Sequence, residues 1–251
     1  MAIGYACWGE RMLLEVENLT KNFGGLRAIN RLSFSVAEGE IYGQIGPNGA
    51  GKTTAFNLIT GFYRPDGGGI WFQGENLVGL KAFHICQRGI CRTFQIAKPF
   101  RDLTVLRNVM MAAFLKTPSP KEAEERALST LSFVRLLEKK NDYARSLNTI
   151  DQRRLELARA LATEPKLLLL DEMMAGLNPR EFEDAIALIR RVREQGVTII
   201  VVEHVIKAIM ALSNRILVIH QGAKIAEGKP EEIIQDMKVI EAYLGKGYRH
   251  A

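Results

Sequence analysis

Two short stretches carry residue types at spacings that could do chemistry. The first, Gly46-Pro47-Asn48-Gly49-Ala50-Gly51-Lys52-Thr53, fits the G-x-x-x-x-G-K-[ST] phosphate-binding pattern at every fixed position. Glycines let consecutive backbone N–H groups converge on an anion, and a helix starting behind the loop adds positive potential. Lys52 would reach the outer phosphates of a nucleotide and the Thr53 hydroxyl would ligate Mg²⁺, with Thr54 beside it in the site. The second, Leu167-Leu168-Leu169-Leu170-Asp171-Glu172, is an apolar run ending in two acids. Asp171 would hold the metal through its water shell, and Glu172 would polarise an attacking water. Such a pair could merely cap the next helix; beside a phosphate loop, the catalytic reading is the stronger one.

These residues need elements to position them. Residues 13–17, 31–36 and 41–45 have strand patterning, and the last leads straight into the glycine loop. A helix follows the loop to about Gly61, and 66–69 reads as a turn into a short strand at 70–73. The pattern from 105 to 138 is helical, interrupted by Thr117-Pro118-Ser119-Pro120. The later half alternates: helix 152–163, strand 167–170, helix 179–194, strand 197–202, helix 205–212, strand 215–220, then short amphipathic helices over 230–244. Strands alternating with helices imply crossover units and a parallel sheet covered on both faces.

Composition sets outer bounds. With 47% hydrophobic and 25% charged residues in 251, disorder, collagen and disulfide scaffolds are excluded. No apolar run approaches the ~18 residues of a membrane helix, so the chain is expected not to span a bilayer. Residues 1–11 lack the features of a signal peptide and read as a loose tail or an upstream start. Cys7, Cys86 and Cys91 are too few and wrongly spaced for zinc, and read as free thiols in a reducing cytoplasm. A net charge of +6 admits nucleic acid, an anionic membrane or phosphorylated ligands, and is too scattered to choose among them.

From 12 to 244 the chain resembles the ABC ATPase family. The resemblance implies an α/β P-loop NTPase: a RecA-like mixed, mostly parallel sheet, an N-terminal antiparallel β subdomain and an inserted α-helical subdomain. It implies one ATPase domain over 12–247, with the core at 12–95 and 164–247 and the helical subdomain at 96–163, working with ATP and Mg²⁺. Gln95, closing Arg92-Thr93-Phe94-Gln95, is then implied to sense the metal and the water. His204, after Val201-Val202-Glu203, is implied to contact the γ-phosphate, and Phe23, in Lys21-Asn22-Phe23-Gly24-Gly25, to stack on adenine. Within the family, Asn22-Phe23-Gly24-Gly25-Leu26, Gly89-Ile90-Cys91-Arg92-Thr93-Phe94-Gln95, Ala175-Gly176-Leu177-Asn178-Pro179 and Glu241-Ala242-Tyr243-Leu244-Gly245 resemble the ATPases of branched-chain amino-acid importers. That likeness implies transmembrane permease partners, a solute-binding protein acting indirectly, and a peripheral place on the cytoplasmic face of the inner membrane. The permease would dock between the Gln95 loop and the 104–138 segment, near Phe100.

One motif departs from the family. Where a Leu-Ser-Gly-Gly-Gln signature is usual, this chain has Leu147-Asn148-Thr149-Ile150-Asp151. Thr149 and Ile150 place β-branched side chains where glycine lets a backbone approach phosphate. Asp151 adds a negative charge in the first helical turn, and Thr149 with Gln152 has the spacing of a capping box. The degenerate signature favours a heterodimer with a related ATPase over a homodimer. Two alternatives carry less weight: a soluble ABC-type ATPase in nucleic-acid or ribosome work, which usually has paired ATPase units or a long coiled coil, and a regulatory subunit with impaired hydrolysis, which Glu172 and His204 argue against.

Overall fold

The computed structural model describes residues 11–94 and 98–244. Period-two burial starts the chain: Leu14 and Val16 are buried in β1 (Met12–Phe23) while Glu17 is exposed. A turn at Gly24-Gly25 returns it as β2 (Leu26–Ala37), antiparallel to β1. The wholly buried β3 (Ile41–Ile45) then delivers the glycine loop to α1 (Lys52–Ile59). β4 (Gly67–Phe72) and β5 (Glu75–Asn76) complete a four-stranded antiparallel sheet, ordered β2-β1-β4-β5. The stretch expected to be a turn at 66–69 is thus partly strand: Gly67 pairs with Thr20 and Gly69 with Glu17. Glycine is needed there, because a Cβ on Gly68 would lie 2.4 Å from the Asn18 carbonyl oxygen.

Next come α2 (Ala82–Gln87), β6 (Ile90–Arg92), α3 (Val105–Ala113), α4 (Pro120–Phe133) and α5 (Thr149–Leu161). β7 (Leu167–Asp171), α6 (Pro179–Glu194), β8 (Thr198–Val202), α7 (Ile206–Leu212) and β9 (Arg215–His220) follow in alternation. A two-residue turn at Gln221-Gly222, both at positive φ, adds β10 (Ala223–Gly228), and α8 (Pro230–Ile233) and α9 (Met237–Leu244) lie beyond it. The second sheet runs β10-β9-β3-β8-β7-β6, parallel except at the β9–β10 hairpin.

Alternate residues of these strands feed two cores. Leu167, Leu169, Ile200, Val202, Leu217 and Ile219 face Phe56 of α1 and the antiparallel sheet. Leu168, Leu170, Ile199, Val201, Ile216 and Val218 face the helices, among them Leu155 of α5, Ile186 of α6 and Ile209 of α7. Burial on both faces explains why these strands read as continuous apolar runs. Parallel backbone pairing sets β7 and β8 side by side, with Asp171 opposite Val202.

α5 corrects one expectation. Thr149 is already helical, and the cap is Asn148, whose side-chain oxygen accepts the Asp151 N–H at 2.8 Å. Gln152 Nε2 donates to the Leu147 carbonyl at 2.9 Å. The helix caps itself, but not through a Thr149–Gln152 box: asparagine in an extended conformation, φ −69° and ψ 170°, brings its amide oxygen over the first turn.

Candidate functional site

The glycine loop is shaped by what lies behind it. A Cβ on Gly46 would fall 2.1 Å from the Ile219 carbonyl oxygen, and Gly51, at φ 109°, would meet the Ala28 carbonyl at 2.7 Å. Gly222 of the β9–β10 turn braces the loop, donating its N–H to Ala50 O and accepting from Asn30 N–H, both at 2.9 Å. α1 begins at Lys52 with no side-chain cap and no acid in its first turn. Among the described residues no side chain caps its leading N–H groups, as an incoming anion requires. Lys52 is buried and donates to Gly46 O at 2.7 Å and Pro47 O at 3.2 Å. Burial depresses its ammonium pKa, while Glu172 and Asp171 act in the opposite direction.

A cleft of about 650 Å³ brings together Asn48, Gly49, Ala50, Gly51, Lys52, Thr53 and Thr54 with Phe23, Glu172 and His204. That size suits a nucleotide. Phe23 stands at the end of β1, its ring edge-on to Tyr63 at 5.2 Å, with the Lys21 ammonium 5.5 Å away. Glu172, one residue past β7, is in the left-handed region at φ 50°, and its N–H donates to Val202 O. Its Oε1 lies 2.7 Å from His204 Nε2, so the two strand ends present one hydrogen-bonded pair to the cleft.

Asp171, at the end of β7, is buried. Arg92 Nη2 donates to Oδ2 at 3.1 Å, and Oδ1 is buried with no hydrogen-bond partner among the described residues. Burial raises the carboxyl pKa, Arg92 opposes that shift, and Glu172 adds to it. Sequence reasoning gave Arg92 no role of its own. Here it also donates to Asn57 Oδ1 at 2.6 Å and lies over the Phe94 ring at 4.7 Å. A charged side chain ending the otherwise apolar Ile90–Arg92 strand was its signal in the sequence. Arg27, Gln221 and Gly222 also line the cleft and were not anticipated. Gln95 lies outside the described residues.

The altered signature sits apart from this cleft. Leu147 is buried, while Asn148 and Thr149 are exposed. Ile150 lines a small cavity with Leu157, Met173 and Leu177. Asp151 is buried, ion-paired with Lys139 and 3.8 Å from Arg154. The negative charge expected in the first turn is there, but Lys139 and Arg154 neutralise it locally. What remains of the departure is steric, in Thr149 and Ile150.

Among the described residues no helix is long and apolar enough to cross a membrane. A family profile described as "ABC transporter" matches residues 29–175, and one described as "Branched-chain amino acid ATP-binding cassette transporter" matches 223–249. The chain is 44% identical over 252 residues to the high-affinity branched-chain amino acid transport ATP-binding protein BraF of Pseudomonas aeruginosa, spanning 94% of this chain and 99% of that one. Its fold is similar to the crystal structure of the ADP conformation of MJ1267, an ATP-binding cassette of an ABC transporter. The TM-score is 0.84 at 30% identity, over 94% of this chain and 99% of that one. It is also similar to MJ0796, an ATP-binding cassette seen as a dimer in a post-hydrolysis state with ADP and Pi. There the TM-score is 0.79 at 27% identity, over 87% of this chain and 99% of that one.

Proposed function

This chain belongs to the ABC transporter family as an ATP-binding, ATP-hydrolysing subunit, and from that premise we propose that its hydrolysis drives import of branched-chain or other hydrophobic amino acids. The relatives' names support the solute class, and the C-terminal match over 223–249 supports the same subfamily. A single ATPase domain over 12–247, with its helical subdomain at 96–163, is the organisation this reading assumes.

The observation that carries the hydrolytic reading is the Glu172–His204 pair at 2.7 Å, in the same cleft as the phosphate loop. The loop and the start of α1 bind the phosphates, and Lys52 exchanges its loop carbonyls for phosphate oxygens. Phe23 offers its exposed ring to the adenine. Glu172 takes a proton from the attacking water while His204 orients that carboxylate and reaches the γ-phosphate. The orphaned Asp171 Oδ1 fits a hydrated divalent cation, which Thr53 and Gln95 would help to hold. Mg²⁺ bound there would neutralise phosphate charge. Glu172→Gln should still bind ATP while turnover in the assembled transporter falls at least ~10²-fold, the scale of lost general-base help. Unchanged turnover would remove the assignment.

The partners of this reading are transmembrane permease subunits, served by a solute-binding protein, and a second ATPase. This subunit then lies peripherally at the cytoplasmic face of the inner membrane. Phe100, 48% exposed with the Arg159 guanidinium 5.1 Å from its ring, offers an apolar contact for the permease. Phe100→Glu should uncouple ATPase activity from transport and leave ATP binding intact. Normal transport by that variant would place the docking surface elsewhere.

A further inference from the structure

The segment that follows Glu172 is gripped from two sides by groups the reaction itself does not use. From the end of β8, Glu203 Oε1 accepts the Met174 N–H at 2.8 Å. Glu203 is 3% exposed, and Oε2 is buried with no hydrogen-bond partner among the described residues. From α5, Arg153 Nη1 donates to the carbonyls of Met173 at 3.0 Å and Ala175 at 2.6 Å. Three consecutive residues are thus fixed through their backbone. The grip begins one residue beyond Glu172, whose φ of 50° is costly for a residue with a side chain. Such a conformation persists only where its surroundings over-determine it. The other end of the grip also leads back to the site, because Glu203 is the chain neighbour of His204, which bonds Glu172.

We propose that Glu203 and Arg153 are positioning residues that hold segment 173–175, and through it keep the Glu172 carboxylate in register with His204. The inference rests on Glu172 being the group that activates water. Burial lifts the Glu203 carboxyl to about 7, with Glu172 and Asp171 adding to the shift and the Met174 N–H and Arg153 opposing it. A protonated carboxyl is matched in shape by glutamine, whose amide oxygen can accept the same N–H.

The test uses the full chain assembled with its permease and ATPase partners, and reads kcat and KM for ATP separately. Glu203→Ala should lower kcat ~10-fold or more with KM little changed, as expected when a reacting group is misplaced rather than binding lost. Glu203→Gln should restore most of that kcat. Arg153→Met, at a part-exposed helix position that tolerates a methionine stem, should lower kcat in the same way. Combined with Glu203→Ala, it should add little, since both act on one segment. Normal kcat in Arg153→Met or Glu203→Ala would overturn the proposal, as would a glutamine variant as impaired as the alanine one. Glu172→Gln separates the two ideas. An active Glu172→Gln removes the water-activation reading, whereas an inactive one beside a fully active Glu203→Ala removes the positioning inference alone.

Discussion

A buried acid next to the Glu172–His204 pair makes a single residue visible to a stability measurement. Glu203 titrates at about 7 in the folded chain against an ordinary value of 4.5. The folded state therefore binds more protons than the unfolded chain between those two values. Stability from this group is complete below about 4.5 and is lost as pH rises through about 7. A shift of that size corresponds to about 3 kcal/mol. Glu203→Gln should flatten this part of the profile: denaturant titrations at pH 5 and pH 8 should show a smaller loss in the variant than in the parent. Equal losses would mean that Glu203 keeps a normal carboxyl. The phosphate loop and the acidic pair were legible in the sequence because each is a contiguous run of telling residue types. Arg92, Arg153 and Glu203 were not, because their partners lie 79, 20 to 22 and 29 positions away. Only the folded sheet brings them together.

Elements were read best where both faces of a strand are buried or where a helix carries its own stop signals. β3, α6 and β9 have the bounds their patterning predicts. β10 went unread because Ala223-Lys224-Ile225-Ala226-Glu227-Gly228 holds one good strand former. Its pairing is imposed by the Gln221-Gly222 hairpin rather than by propensity. α2, at six residues, is too short to show a period. The hairpin leads to a test at this scale. Gly222 sits at φ 77°, and a Cβ there would lie 2.6 Å from the Ala28 carbonyl oxygen. Gly222→Val should strain the turn by about 1–3 kcal/mol and disturb its brace on the phosphate loop. ATP affinity measured by calorimetry should fall ~10-fold or more, the equivalent of 1.4 kcal/mol, with the helical content unchanged. Unaltered affinity would show that the loop holds its shape without the brace.

For the whole molecule the open matter is what the self-capped α5 means for assembly. The MJ0796 cassette forms a dimer. The family resemblance implies a dimer in which each nucleotide lies between one chain's phosphate loop and the other's signature. If this chain pairs so, the start of its α5, with Thr149 exposed and Ile150 half-buried, would stand opposite the partner's nucleotide. With Asp151 neutralised by Lys139, any impairment would come from lost backbone approach, and losing one hydrogen-bond donor to a developing anion costs ~10²-fold in enzyme oxyanion holes. We therefore predict weak ATPase activity from the chain alone and strong activity with a second, related ATPase. The combined repair Asn148→Ser, Thr149→Gly, Ile150→Gly and Asp151→Gln should raise the activity of the lone chain. Robust hydrolysis by the unmodified lone chain, unaffected by the repair, would show that the departure is harmless and the asymmetry wrong.

The placement of β3 at the centre of its sheet has a consequence for the making of the protein. The loop at 46–53 leaves the ribosome early, yet β3 is flanked by β8 and β9, which are built from residues 198–220. A nascent chain halted before 198 carries the whole phosphate-binding motif but neither neighbour that holds it in shape, nor the histidine that completes the cleft. Pairing across that span makes the nucleotide site one of the last features to form. An incomplete translation product should therefore be unable to sequester ATP.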